Sequence, residues 1–130
     1  MQYEKLEIWL RSKSLAVDVY RELAELRDFG FKDQITRSAL SVPSNIAEGM
    51  ERYTVPDKAN FLVIAKGSVG EFKTQTYIGI GIWYINQQKG MYWMNEAEQL
   101  TKRLGRFIKR IKNNVLKFQI GTHKYKPPNE

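Results

Sequence analysis

Apolar residues recur at three- and four-residue steps along most of the chain, and breaks in that recurrence divide it into four runs. The first run carries Leu6, Trp9, Leu10, Val17, Tyr20, Leu23, Ala24 and Leu26 with charged residues between them, which predicts a helix over 6–27 terminated by Gly30. A second helix is predicted over 32–51. Around its axis Ile35, Ala39, Val42 and Ile46 gather on one side, whereas Gln34, Ser38, Ser41, Asn45, Glu48 and Arg52, with Arg37 beside them, form a polar stripe. Pro43 falls inside this helix. It has no N–H for the carbonyl of Ala39, and the periodicity continues past it, so a kink is expected there rather than a stop.

Thr54, Val55, Pro56 and Asp57 read as a helix start, with a hydroxyl cap, a proline in the first turn and an acid at the positive end of the dipole. Phe61, Ala65, Ser68, Phe72, Thr76, Ile80 and Trp83 then predict a third helix over 55–87. Gly67, Gly70, Gly79 and Gly81 each weaken a helix by about 1 kcal/mol relative to Ala, and TYIGIGIWYI also fits an alternating strand. If the segment is helical, Gly67, Ser68 and Gly70 leave room for another helix or subunit to approach closely. Lys89 and Gly90 are expected to close it. Asn95, with Glu98 three residues on, resembles a capping box and opens a fourth helix over 95–118. One side of that helix carries Leu100, Leu104, Phe107, Ile108, Ile111, Val115 and Phe118; the other carries Lys102, Arg103, Arg106, Lys109 and Arg110. Residues 119–130 have two adjacent prolines and no helical pattern, and are expected to be a mobile basic tail on a single domain over 1–118.

The 130 residues suit one domain, and the absence of cysteine excludes disulfides, thiolate metal sites and a cysteine nucleophile. No apolar signal segment opens the chain, so a cytoplasmic location is expected. The most apolar window, Tyr77 to Ile85, is about half the length a spanning helix needs, so no membrane span is expected.

The formal charge of +7 is uneven. Up to Leu100 there are 12 Lys/Arg against 13 Asp/Glu, whereas Thr101 to Lys126 holds nine Lys/Arg and no acid. Such asymmetry points to an anionic partner, nucleic acid first and a membrane surface second, or else to a solvated helix face and a basic tail.

No catalytic constellation is apparent. The single histidine, His123, falls in the expected tail, and Glu48 and Glu51 are three apart on one helix rather than facing each other across a substrate. Neither a phosphate loop nor a dinucleotide fingerprint is present. The expectation is a protein without enzymatic activity, cofactor, metal or small-molecule substrate. Lys102, Arg103, Arg106, Lys109 and Arg110 are the candidate phosphate contacts, and no base-reading motif accompanies them. Tyr3, Trp9, Tyr53, Tyr84, Tyr92 and Trp93 are candidates either for stacking on bases or for the core. A structural or protein-interaction scaffold is the alternative function.

Four helices in this order, with DQITRSALSVPSNIAEGMER in the second and FLVIAKGSVGEF in the third, resemble the 23S rRNA intervening-sequence protein family, also labelled S23, over roughly Leu6 to Val115. More distantly the chain resembles the accessory variability determinant of diversity-generating retroelements, a basic bundle that works with a reverse transcriptase and nucleic acid. The resemblance implies an all-α, antiparallel up-down four-helix bundle that assembles as a ring-like homopentamer. It also implies an RNA-related role, since genes of the family lie in ribosomal-RNA intervening sequences. Two stretches depart from the family pattern: the short link Arg27 to Phe31, and FKTQTYIGIG where a leucine-rich run is usual. On this reading the polar stripe of the second helix serves helix or subunit contacts; the alternative is that its groups bond within one chain.

Overall fold

The structure, a computed structural model, describes the backbone of residues 2–124 and the side chains of residues 5–114. Four helices, α1 (Gln2–Glu22), α2 (Phe29–Met50), α3 (Val55–Gly81) and α4 (Gln87–Lys124), form a bundle, with no strand among the described residues. The links at 23–28, 51–54 and 82–86 are too short to cross the bundle, so consecutive helices are antiparallel neighbours. Packing closes the square: α1 lies beside α2 and α4, and α3 beside α2 and α4, with no close backbone approach across either diagonal among the described residues. The side chains of Tyr3, Val115, Phe118 and His123 lie outside the described residues; of the tail expected over 119–130, residues 119–124 instead continue the backbone of α4 to Lys124, and 125–130 lie outside the described residues.

The core takes the predicted positions of α2 and, on α4, those from Leu100 to Ile111; on α1 it takes Ile8, Leu15 and Val19 instead, while the predicted Leu6, Leu10, Val17 and Tyr20 face outward, and on α3 Leu62 and Val69 join the predicted Ala65 and Phe72. Ile8, Leu15 and Val19 of α1 and Ile35, Ala39, Val42 and Ile46 of α2 meet Leu62, Ala65, Val69 and Phe72 of α3 and Trp93, Ala97, Leu100, Leu104 and Phe107 of α4. Phe72 and Trp93 pack ring against ring at 6.0 Å. α1 and α3 carry the longest outward apolar strips: Leu6, Leu10, Val17 and Tyr20 on α1, and Val63, Ile64, Tyr77 and Ile78 on α3 with Ile82 at its C-terminal end.

Helix boundaries depart from expectation at both ends of the links, for reasons of local turn chemistry. α1 stops at Glu22, and Leu23 to Leu26 form a turn held by Leu26 N–H donating to Leu23 O at 3.1 Å. Gly30 terminates nothing; it lies in the first turn of α2, because Asp28 caps that helix by accepting from Phe31 N–H at 3.1 Å. That carboxylate accepts a second bond from the Tyr84 hydroxyl at 2.8 Å, and Phe31 and Tyr84 meet edge-on at 5.3 Å. The α1–α2 and α3–α4 links are thereby joined at one end of the bundle. The Phe31 amide, then Tyr84, hold the Asp28 carboxyl below its usual range, while Asp28 pushes the Tyr84 phenol up.

Pro43 is buried, and α2 runs through it without a stop. α3 is a helix rather than a strand, but it ends at Gly81 instead of 87. Trp83 takes φ 69°, an uncommon conformation for a residue with a Cβ, and reverses the chain so that Tyr84 and Ile85 N–H both donate to Gly79 O. Asn86 then accepts from Lys89 N–H at 2.7 Å and opens α4 eight residues before the expected start. Asn95 and Glu98 lie inside α4 and are no capping box. Nor does Gly90 close a helix: a Cβ there would fall 2.4 Å from Ile80 Cδ1, and one on Gly79 would fall 2.4 Å from Ile85 Cδ1. These two glycines let the ends of α3 and α4 cross at close range.

Gly90→Ala is therefore expected to destabilise the fold by about 1–3 kcal/mol through overpacking, despite the better helix propensity of alanine. A urea midpoint lowered at unchanged slope would show it.

Candidate nucleic-acid interface

Both flanks of α4 are tied to neighbouring helices by ion pairs. Toward α1, Arg11 pairs with Glu96 at 2.8 Å, Arg103 donates to Glu7 at 2.9 Å, and Lys89 pairs with Asp18 at 3.3 Å. The indole N–H of Trp93, whose ring is fully buried, donates to the same Asp18 carboxylate at 2.7 Å. Toward α3, Lys73 pairs with Glu98, which lowers the carboxyl's pKa and raises that of the lysine. The hydrogen bond to Glu96 likewise raises the pKa of the Arg11 guanidinium.

These pairs decide which predicted cations stay most exposed. Both acids of α4 among the described residues, Glu96 and Glu98, are engaged between helices. Arg103 turns toward Glu7 and ties α4 to α1. Lys102, Arg106, Lys109 and Arg110 remain exposed on the outer side of α4. The sequence reading missed Lys66 of α3, whose Nζ reaches within 3.6 Å of where a Cβ on Gly105 would lie. A glycine in the middle of a basic amphipathic helix was the available signal. It opens a saddle through which a lysine from the next helix joins the same surface.

The polar stripe of α2 divides three ways. Ser38, Ser41 and Asn45 enter the seam with α3: Ser38 donates to Gln75 Oε1 at 2.6 Å, Ser41 and Ser68 share a hydroxyl bond at 2.8 Å, and Asn45 Nδ2 donates to Ser41 O and Oγ at 2.8 and 2.9 Å. Ser68 passes the chain on to Ile64 O at 3.1 Å. Glu48 and Arg52 pair at 3.1 Å where α2 ends, with Arg52 4.5 Å above the Phe61 ring. Gln34 and Arg37 are exposed, Arg37 beside Asp33. The residues in the seam thus bond within the chain. Gly49 completes the motif, since a Cβ there would meet Lys58 O and Phe61 Cβ at 3.3 Å. SVPSNIAEG is the sequence of a helix that must offer hydroxyls and an amide to one neighbour and then let the start of α3 come close.

Among the described residues no group of His, Cys, Asp and Glu is arranged to hold a metal ion, and no helix is long and apolar enough to cross a membrane.

Ser41→Ala and Ser68→Ala, made singly and together, are expected to show a coupling of about 1 kcal/mol in urea unfolding, as for a half-buried hydroxyl pair.

Comparison with known proteins places these features. The family model for the 23S rRNA-intervening sequence protein matches residues 4–106. A solved structure from Bacteroides thetaiotaomicron VPI-5482, described as a protein of unknown function from the S23 ribosomal protein family, is 27% identical to this chain. The match covers 78% of this chain and 98% of that one, with a TM-score of 0.74. No curated protein matches the chain. The family match spans the seam of α2 and α3, the crossing of α3 and α4, and the first half of α4, and by it the chain belongs to the 23S rRNA-intervening sequence protein family.

Proposed function

We propose that this chain is a non-enzymatic, self-assembling helical bundle that binds RNA through phosphate contacts on the outer surface of α4, in the cytoplasm. One observation carries the RNA reading. The acids of α4 are consumed between helices, whereas Lys102, Arg106, Lys109 and Arg110 stay exposed and Lys66 joins them from α3. A surface rich in cations neutralises phosphates through counterion release and reads no base. The family name, which refers to an intervening sequence of ribosomal RNA, favours RNA over other polyanions.

Self-assembly is supported by a different face. α3 is apolar on its outer side as well as in the core, with Val63, Ile64, Tyr77, Ile78 and Ile82 between 43% and 62% exposed. An exposed strip this rich in large apolar side chains marks an interaction surface. Gly67 and Gly70 lie on this outer side with nothing within 4 Å of an added Cβ, so they serve no packing within the chain and suit a close approach from outside it. α1 presents a second apolar strip across the bundle diagonal. Two different uncovered faces are what a head-to-tail ring uses, which accords with the ring-like homopentamer the resemblance implies.

The RNA reading is tested by titrating a labelled structured RNA over a range of salt. Lys102→Ala/Arg106→Ala/Lys109→Ala should weaken binding at least tenfold and flatten the log–log salt slope by about 2 per chain. Wild-type affinity that ignores salt would leave the scaffold reading instead.

For assembly, Gly67→Leu/Gly70→Leu replaces poor helix formers at open positions, so each exchange should stabilise the isolated helix by up to about 1 kcal/mol. Light scattering should nonetheless show fewer subunits per particle than wild type. An unchanged mass would remove the α3 face from the contact.

A further inference from the structure

Where α4 begins, an open cleft of about 530 Å³ separates it from α1 and is lined by Lys13, Ser14, Arg21, Asp18, Lys89 and Tyr92. Three cations face one carboxylate there, and that carboxylate is already committed. Asp18 accepts from the buried Trp93 indole at 2.7 Å and from Lys89 at 3.3 Å. Trp93 therefore fixes Asp18, Asp18 fixes the Lys89 ammonium, and Lys89 Nζ is held 6.0 Å from the centre of the Tyr92 ring. Tyr92 is 53% exposed. The other aromatic groups nearby are engaged: Trp93 is in the core, Tyr84 is bonded to Asp28, and Trp9 is partly buried against the core.

An exposed ring flanked by fixed and flexible cations is the arrangement that holds an unpaired base by its face and the adjoining phosphates by charge. Duplex RNA buries its base faces and has no use for such a ring. Position along α4 connects the cleft to the basic surface: Tyr92, Gln99 and Arg106 recur at seven-residue steps, so they share one face, with Tyr92 and Arg106 about 21 Å apart along the axis. A strand of a few nucleotides spans that distance.

We propose that this cleft is a single-stranded RNA subsite, in which Tyr92 stacks on one base while Lys13, Arg21 and Lys89 receive the flanking phosphates and Ser14 donates a hydrogen bond to one of them. The assignment rests on the RNA-binding reading above and adds to it a preference for unpaired over paired RNA. Val17 belongs both to the cleft and to the outward apolar strip of α1, so the bound nucleotide borders the proposed subunit contact.

The test compares a short labelled oligoadenylate with a labelled RNA duplex by fluorescence anisotropy at about 0.1 M salt. Wild type, Tyr92→Leu, Tyr92→Phe and the Lys102/Arg106/Lys109 alanine variant are titrated, each first shown to keep wild-type helicity and mass. Tyr92→Leu should weaken the oligoadenylate about tenfold and leave the duplex unchanged; Tyr92→Phe should bind both as wild type does. The alanine variant should weaken both. If Tyr92→Leu binds the oligoadenylate as wild type does, or weakens both RNAs equally, the subsite is overturned while the basic surface stands. If wild type binds neither RNA, both readings fall together.

Discussion

The crossing of α3 and α4 sets the position of everything on α4. Gly79 and Gly90 have no Cβ, so Ile85 and Ile80 each occupy the space where one would be. The chain must turn within residues 82–86 to make that contact, and Trp83 accepts a left-handed backbone to do so. Once the turn is fixed, Asn86 caps α4 and the phase of the helix follows. Trp93 falls into the core against Phe72, Asp18 comes within reach of its indole, and Glu96 and Arg103 meet Arg11 and Glu7 one and three turns further on. A rotation of α4 by one residue would move every one of these partners by about 100°.

The ion pairs along α4 do more for orientation than for stability. Each is partly exposed, and such pairs contribute about 0–1 kcal/mol. Their larger effect is on what remains. By drawing Glu96 and Glu98 into pairs with α1 and α3, they leave Lys102, Arg106, Lys109 and Arg110 as exposed cations on the outer side of α4.

Helix number and type were legible because each run carries apolar residues at helical spacing, and Ile35, Ala39, Val42, Ile46, Leu100, Leu104 and Phe107 are buried as the periodicity requires. On α1, which has apolar residues on two sides, the buried side is that of Ile8, Leu15 and Val19 rather than the predicted Leu6, Leu10 and Val17, because the packed neighbours decide which side is covered. Helix ends were not legible. Gly30 and Asp28 compete for one link, as do Asn86 and Asn95 for another. The winner in each case is fixed by a tertiary partner, Tyr84 for Asp28 and the glycine crossing for Asn86, which no local pattern reveals. The candidate site was half legible. Charge asymmetry located α4, but that Arg103 pairs with Glu7 depends on a contact 96 residues away, and Lys66 enters from another helix. The polar stripe of α2 illustrates the same limit: a wheel shows that Ser38, Ser41 and Asn45 share a face, and only the packed neighbour shows that Ser68 and Gln75 are waiting for them.

The two kinds of uncovered surface on this chain are related by the order of its helices. α3 is packed on both flanks by α2 and α4, and its outer side is nonetheless apolar; α4, its neighbour, is cationic on its own outer side. A partner that covered α3 would bring its own α4 near, and like charges resist that unless the cationic stripes turn away from the contact. In the proposed ring, each stripe would then face outward at a regular spacing set by the assembly. A polyanion bridging two stripes would replace repulsion between neighbours with attraction to a common strand, and its second contact would be intramolecular. Assembly and nucleic-acid binding would then strengthen one another, since a ligand that binds the assembled form more tightly shifts chains toward it by the same free energy.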